Sequence, residues 1–119
     1  MAVTDSYRIF VLEQLNRAAP PVRARAMFGG VGLYAGEVFF ALIANDVVYF
    51  STDDASRPDF ESLGMTPFRP FDEHGPVMSY YQLPEEILEE PERLRQWAER
   101  AIRGAQARRR RPTKRKRKK

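Results

Sequence analysis

The side chains best suited to acid and base chemistry in this sequence occur as adjacent acids, Asp53 with Asp54, Glu85 with Glu86 and Glu89 with Glu90. The phenols Tyr80 and Tyr81 and the single histidine, His74, join them. A carboxylate pair divides into general acid and general base only where burial or a neighbouring charge drives the two pKa values apart. The spacing here points elsewhere. Asp53 and Asp54 stand where a helix is predicted to begin, and the glutamates gather around Pro91 at the start of another. Acids in those places are favoured by the positive end of the helix dipole. His74 lies in "DEHGP", which reads as a turn. The absence of cysteine excludes disulfides, thiolate zinc sites and cysteine nucleophiles, and one imidazole offers no histidine pair to a metal. The expectation is a chain with no catalytic residue, no metal and no cofactor.

The other candidate is the glycine run "MFGGVGLYAG" at residues 27 to 36. Glycines that hold a phosphate do so by exposing backbone N–H groups at a helix start. Gly30 and Gly32 fit the first two glycines of a dinucleotide fingerprint, but Gly36 falls one residue late, and "LYAGEVFFALI" continues as strand. No Gly-Lys-Ser or Gly-Lys-Thr follows, so the P-loop fails too. Phe28, Gly29, Gly30, Gly32 and Tyr34 therefore read as a structural motif, in which glycine lets a strand turn, bulge or approach another backbone closely.

The elements around these residues are short. Tyr7, Phe10, Val11, Leu15 and Ala18 recur at helical spacing after Thr4, a candidate cap, and Pro20 and Pro21 end the pattern, which predicts a helix over residues 5 to 18. Residues 22 to 28, 31 to 35, 38 to 44 and 47 to 52 are rich in β-branched and aromatic types, with turns at Gly29-Gly30, Gly36 and Asn45-Asp46. A short helix follows, with Asp54 or Ser56 as cap, Pro58 in its first turn, Phe60 and Leu63 facing inward and Gly64 as the stop. "TPFRPF" and "VMSYYQL" read as two further strands, the first confined to an edge by its prolines. Pro84 and Pro91 each open a helix. In the last one Leu94, Trp97, Ala98, Ala101, Ile102 and Ala105 form an apolar stripe with Trp97 as its main anchor.

At 119 residues the chain is long enough for one modest core. No stretch approaches the roughly 18 to 20 apolar residues that span a bilayer, and the N-terminus lacks a secretion signal, so a cytoplasmic protein is expected, with no membrane partner. The net charge of +4 averages two unlike regions. Arg108, Arg109, Arg110, Arg111, Lys114, Arg115, Lys116, Arg117, Lys118 and Lys119 are ten cations without an acid, and all four lysines are among them. Residues 1 to 107 keep ten basic groups against all sixteen acids, a balance of −6. Residues 108 to 119 have no apolar side chain with which to build a core. They read as a disordered tail of the kind that binds nucleic-acid phosphates without reading sequence.

Phe28, Tyr34, Phe39, Phe40, Tyr49, Phe50, Tyr80 and Tyr81 all fall in predicted strands, and exposed rings on a sheet are able to stack bases. A body of −6 repels phosphates, so the rings read as core, and any apolar face left over suits a protein partner or a second copy forming a homodimer.

Taken in order and spacing, "MFGGVGLY", "FFALIANDVVYFSTD", "PFRPF", "SYYQLP" and "LRQWAERAI" resemble the N-terminal domain of the TfoX/Sxy family of bacterial proteins, over about residues 20 to 104. The resemblance implies an α+β domain with a curved antiparallel sheet flanked by helices, in a family named for transcriptional regulators of competence genes and supplying no catalytic residues. Those regulators carry a second, helical domain after the matched part, where this chain has its basic tail. The expectation is an α+β domain over residues 1 to 107 and a tail over 108 to 119. The domain is expected to be a non-enzymatic binding or regulatory module that associates with nucleic acid through the tail. The alternatives are a protein-interaction domain with no specific nucleic-acid target and an enzyme of unrecognised type.

Overall fold

The first helix of the fold starts on local chemistry that the sequence carries. Thr4 caps α1 (Asp5–Ala18), its Oγ1 accepting the N–H of Tyr7 at 3.3 Å. The side-chain amide of Asn16 then bridges both backbone groups of Val22, accepting its N–H at 2.7 Å and donating to its C=O at 3.3 Å. That pair ties the end of α1 to the first strand. The computed structural model describes residues 3–18, 21–27, 29–68 and 79–110, the last three as backbone only.

Among the described residues, five strands form one antiparallel sheet in the order β1 (Val22–Met27), β2 (Gly30–Ala35), β3 (Val38–Ala44), β4 (Val47–Ser51), β5 (Tyr80–Gln82). The first four are successive hairpins. Ala44 pairs with Val47 across a two-residue loop in which Asn45 and Asp46 both take positive φ, 53° and 55°. This is the primed turn whose twist suits a hairpin, and Asn and Asp tolerate it best after glycine. β5 joins β4, and Pro67 makes a single bridge to Tyr81 beside it. The predicted strands at "TPFRPF" and "VMSYYQL" therefore reduce, among the described residues, to that bridge and a three-residue β5.

Between β2 and β3 the register slips: Leu33 pairs with Ala41 but Tyr34 pairs with Phe39, leaving Phe40 as an extra residue. A bulge of this kind reverses the alternation of side chains. Val38, Phe40, Ala41 and Ile43 consequently all enter the main core, while Phe39, Leu42 and Ala44 lie on the other face. The run "VFFALIA" is apolar throughout because β3 is covered on both sides.

At the start of α2 (Arg57–Ser62) the N-cap position is Ser56, but the capping bonds come from Asp53 in the turn before it. Asp53 Oδ1 accepts the N–H groups of Ala55 and Ser56 at 3.1 and 2.8 Å, and Ser56 Oγ accepts the N–H of Asp53 at 3.0 Å, a reciprocal capping arrangement. Of the two expected caps, Ser56 occupies the N-cap position of α2 but makes no side-chain capping bond to it, and Asp54 pairs with Arg57 instead. The helix stops at Gly64, φ 78°, through the paired bonds Gly64 N–H to Glu61 C=O and Met65 N–H to Phe60 C=O. That turn carries Leu63 outward, 46% exposed, so Phe60 alone is the buried residue of α2.

Pro84 precedes the single turn α3 (Glu85–Leu88), and Pro91 opens α4 (Pro91–Arg110). The buried line of α4 is Leu94, Ala98, Ala101 and Ala105, laid with α1 against the face of the sheet that holds the main core. Small residues in that line bring the helix close to β3 and β4. Trp97 lies at the margin of the line, partly exposed, its ring edge-on to Phe60 at 4.7 Å. The architecture is α+β, an open antiparallel sheet with helices from both ends of the chain on one face.

Candidate functional site

The glycine run builds a turn and a close approach. Met27 pairs with Gly30, and Gly29 between them takes φ 77°. A Cβ on Gly30 would sit 2.5 Å from the carbonyl oxygen of Ile43, so β2 and β3 meet there with room only for hydrogen. At Gly32 a Cβ would meet Met27 Sδ at 3.0 Å and Phe39 Cε1 at 3.1 Å, which lets both side chains lie over the strand. The residues after Gly32 continue as β2, and no helix begins at the run. Phe28 lies outside the described residues.

Of the candidate acids, Asp53 caps a helix and Asp54 and Glu90 enter ion pairs. The Asp53 carboxyl is held below the usual carboxylate range, first by the backbone N–H of Ser56 and against an opposing push from burial. The Ser56 hydroxyl, the Ala55 N–H and the Arg100 guanidinium add to the lowering. Asp54 pairs with Arg57 at 2.7 Å, Glu90 with Arg93 at 3.4 Å and Glu92 with Arg95 at 3.0 Å. Tyr80 and Tyr81 diverge to opposite faces of the sheet, and Tyr81 donates to Glu61 at 2.8 Å on the core side. The two phenols therefore serve no common site. His74 lies outside the described residues, among which no group of three His, Asp or Glu is placed to hold a metal.

The start of α1, the Asn45-Asp46 turn and α3 enclose a cleft of about 260 Å³. Tyr7 lines it, and its hydroxyl is pushed up to about 12, first by burial and then by Glu85 and Asp46. A phenol raised above its ordinary 10.0 in the fold favours folding while neutral. That contribution is complete below pH 10 and is lost as pH rises through about 12. In urea titrations the unfolding midpoint is therefore expected to fall over this range, and Tyr7→Phe is expected to remove part of the fall. An identical pH dependence in Tyr7→Phe would assign the effect elsewhere, Tyr49 being the other phenol that burial raises.

On the sheet face away from α1 and α4, rings from four strands and from Phe68 lie in two groups. Tyr34 stands 5.2 Å from Phe39, Phe39 stands 5.5 Å from Tyr80, and Tyr49 stands 5.0 Å from Phe68. Leu42, Phe68 and Tyr80 are buried there, whereas Tyr34, Phe39 and Tyr49 are partly exposed. The guanidinium carbon of Arg23 lies 5.0 Å from the Tyr34 ring centroid.

This order of elements, a four-strand meander between an N-terminal and a C-terminal helix with the glycine turn opening its second strand, covers the region over which a family model, the TfoX N-terminal domain, matches residues 13–105. The chain belongs to that family. A comparison with curated proteins finds no match. The matched TfoX N-terminal region takes in all five strands and ends within α4. Beyond it, α4 runs on through Arg108, Arg109 and Arg110, and Arg111, Lys114, Arg115, Lys116, Arg117, Lys118 and Lys119 lie outside the described residues. Among the described residues no helix is long and apolar enough to cross a membrane.

The sequence reading of this TfoX N-terminal domain missed Arg23, Arg25 and the sidedness of the rings. The signal available was "VRARAM", two arginines two residues apart in a strand, which places both on one face.

Proposed function

We propose that this TfoX N-terminal domain is a non-enzymatic regulatory module that associates with nucleic acid through its basic C-terminal segment, without reading sequence. Family membership supports the regulatory part. The observation that carries the nucleic-acid part is the segregation of charge: ten cations and no acid in the last twelve residues, against a balance of −6 in all the rest. α4 delivers this segment from the end of a folded body and already includes its first three arginines. Fully extended, the nine residues after α4 reach about 30 Å, enough to follow several phosphates.

Binding of this kind releases counterions. If about six phosphates of duplex DNA are engaged, log K should fall against log salt with a slope near −5, with little dependence on base sequence. Replacing Lys114, Lys116, Lys118 and Lys119 by Gln should shallow the slope by about 2, since it removes four of the ten cations that share about six phosphates. Removing residues 108 to 119 should abolish the binding. Fluorescence anisotropy over a salt series measures all three. A full-length chain without salt-sensitive binding at low ionic strength would favour the protein-interaction alternative instead.

A further inference from the structure

The balance of −6 does not describe every surface of the body. The only charged residues in the five strands are Arg23 and Arg25, both on β1 and both exposed. Arg23 pairs with Tyr34 and Arg25 with Gly32, while the alternate residues Val22 and Ala24 pack into the main core. Both guanidinium groups therefore project from the face opposite the helices, beside the rings of Tyr34 and Phe39. Neither makes an ion pair with a described carboxylate. No described acid lies in a strand, and Glu37 stands in the turn between β2 and β3. Three partly exposed rings and two arginines thus share a surface on which no strand places an acid.

We propose that this face is a stacking platform for single-stranded nucleic acid, with bases against Tyr34, Phe39 and Tyr49 and phosphates against Arg23 and Arg25. Grooves that hold single strands combine aromatic faces with cations along the backbone track, and both are present here. Cationic residues beside partly exposed rings suit a polyanion better than an apolar protein surface, since the core of a protein interface is depleted of charge. A duplex keeps its base faces stacked inside and gains nothing from the rings. The platform goes beyond the tail, which holds phosphates of either kind of nucleic acid equally well.

The test uses the full-length chain with a labelled single strand of DNA, the same sequence as RNA, and the corresponding DNA duplex, titrated by anisotropy. Wild type should bind single strands about tenfold or more tightly than duplex. Tyr34→Ala should cost between about 5-fold and 100-fold on single strands and leave duplex affinity unchanged, as expected for one lost base stack. Arg23→Gln with Arg25→Gln should shallow the single-strand salt slope by about 1.4. These exposed positions carry the test if Tyr34→Ala melts early. Equal affinity for single strand and duplex, or variants with undiminished single-strand binding, would overturn the platform while leaving the tail reading in place. Loss of duplex binding on tail removal with single-strand preference intact would separate the two the other way. A concentration-dependent dimer, abolished by these substitutions and unaccompanied by single-strand preference, would assign the face to a second copy and overturn the proposal.

Discussion

Phe40→Ala is expected to lower the stability of the domain by about 3 to 5 kcal/mol, the cost of emptying a phenylalanine site in a core that relaxes only partly. Phe40 is fully buried and meets Phe50 edge-on with centroids 5.8 Å apart. It is also the extra residue of the bulge, so its ring has no cross-strand partner in β2 to take its place. Against a total stability of about 5 to 15 kcal/mol, such a loss leaves much of the chain unfolded at modest temperature. Phe39→Ala is the informative control, because the adjacent ring is partly exposed on the other face. Urea denaturation followed by circular dichroism ranks the two. A larger loss at Phe39 than at Phe40 would mean that the bulge does not set the sidedness of β3 as described.

Gly30→Val is the second large effect. The hydrogen-only approach to the Ile43 carbonyl leaves no place for a Cβ, still less a branched one, and β2 and β3 would have to separate. Overpacking of this kind costs about 1 to 3 kcal/mol. The penalty is steric at Gly30. At Gly29 it is conformational, since φ is 77° with open space around the Cβ position, and Gly29→Ala should cost about 1 to 2 kcal/mol for the left-handed backbone alone. Thermal melts of both variants separate the two causes. Neither change should alter nucleotide affinity. Saturable micromolar binding of ATP or GTP that disappears in Gly30→Val would restore a phosphate role to the run.

Much of the fold is legible in the sequence because its punctuation is local. Thr4, Asn45-Asp46, Gly64 and Pro91 each act within a few residues, and each stands where a helix or turn begins or ends. What was not legible depends on register or on neighbours distant in sequence. "VFFALIA" hides its bulge because every residue is apolar, so no alternation marks the slip. Leu63 and Trp97 belong to apolar stripes by spacing, yet the stop at Gly64 turns Leu63 outward, and the small Ala98 and Ala101 beside Leu94 take the place against the sheet expected for Trp97. Asp53 outcompetes Asp54 as a cap because its carboxylate reaches two N–H groups. The candidate sites divide the same way. The tail announces itself by composition, whereas the pairing of Arg23 with Tyr34 across two strands needs the sheet to be assembled first, and a charge averaged over the body conceals it.

Asp46 does more than complete a hairpin. Its two carboxylate oxygens accept the Thr4 N–H at 2.9 Å and the Thr4 hydroxyl at 3.0 Å, so the residue that caps α1 is itself held by a turn 42 positions along the chain. A hairpin closes in about 1 to 10 μs, using neighbours only, whereas a contact across 42 residues must first meet the entropy of a large loop. The order of events in refolding follows from that difference. The β3–β4 turn is expected to form early and present an acceptor, with the first turn of α1 fraying until the helix docks onto it. In amide exchange the Thr4 N–H should consequently report docking of α1 onto the sheet, while the amides of β3 and β4 report formation of the hairpin itself.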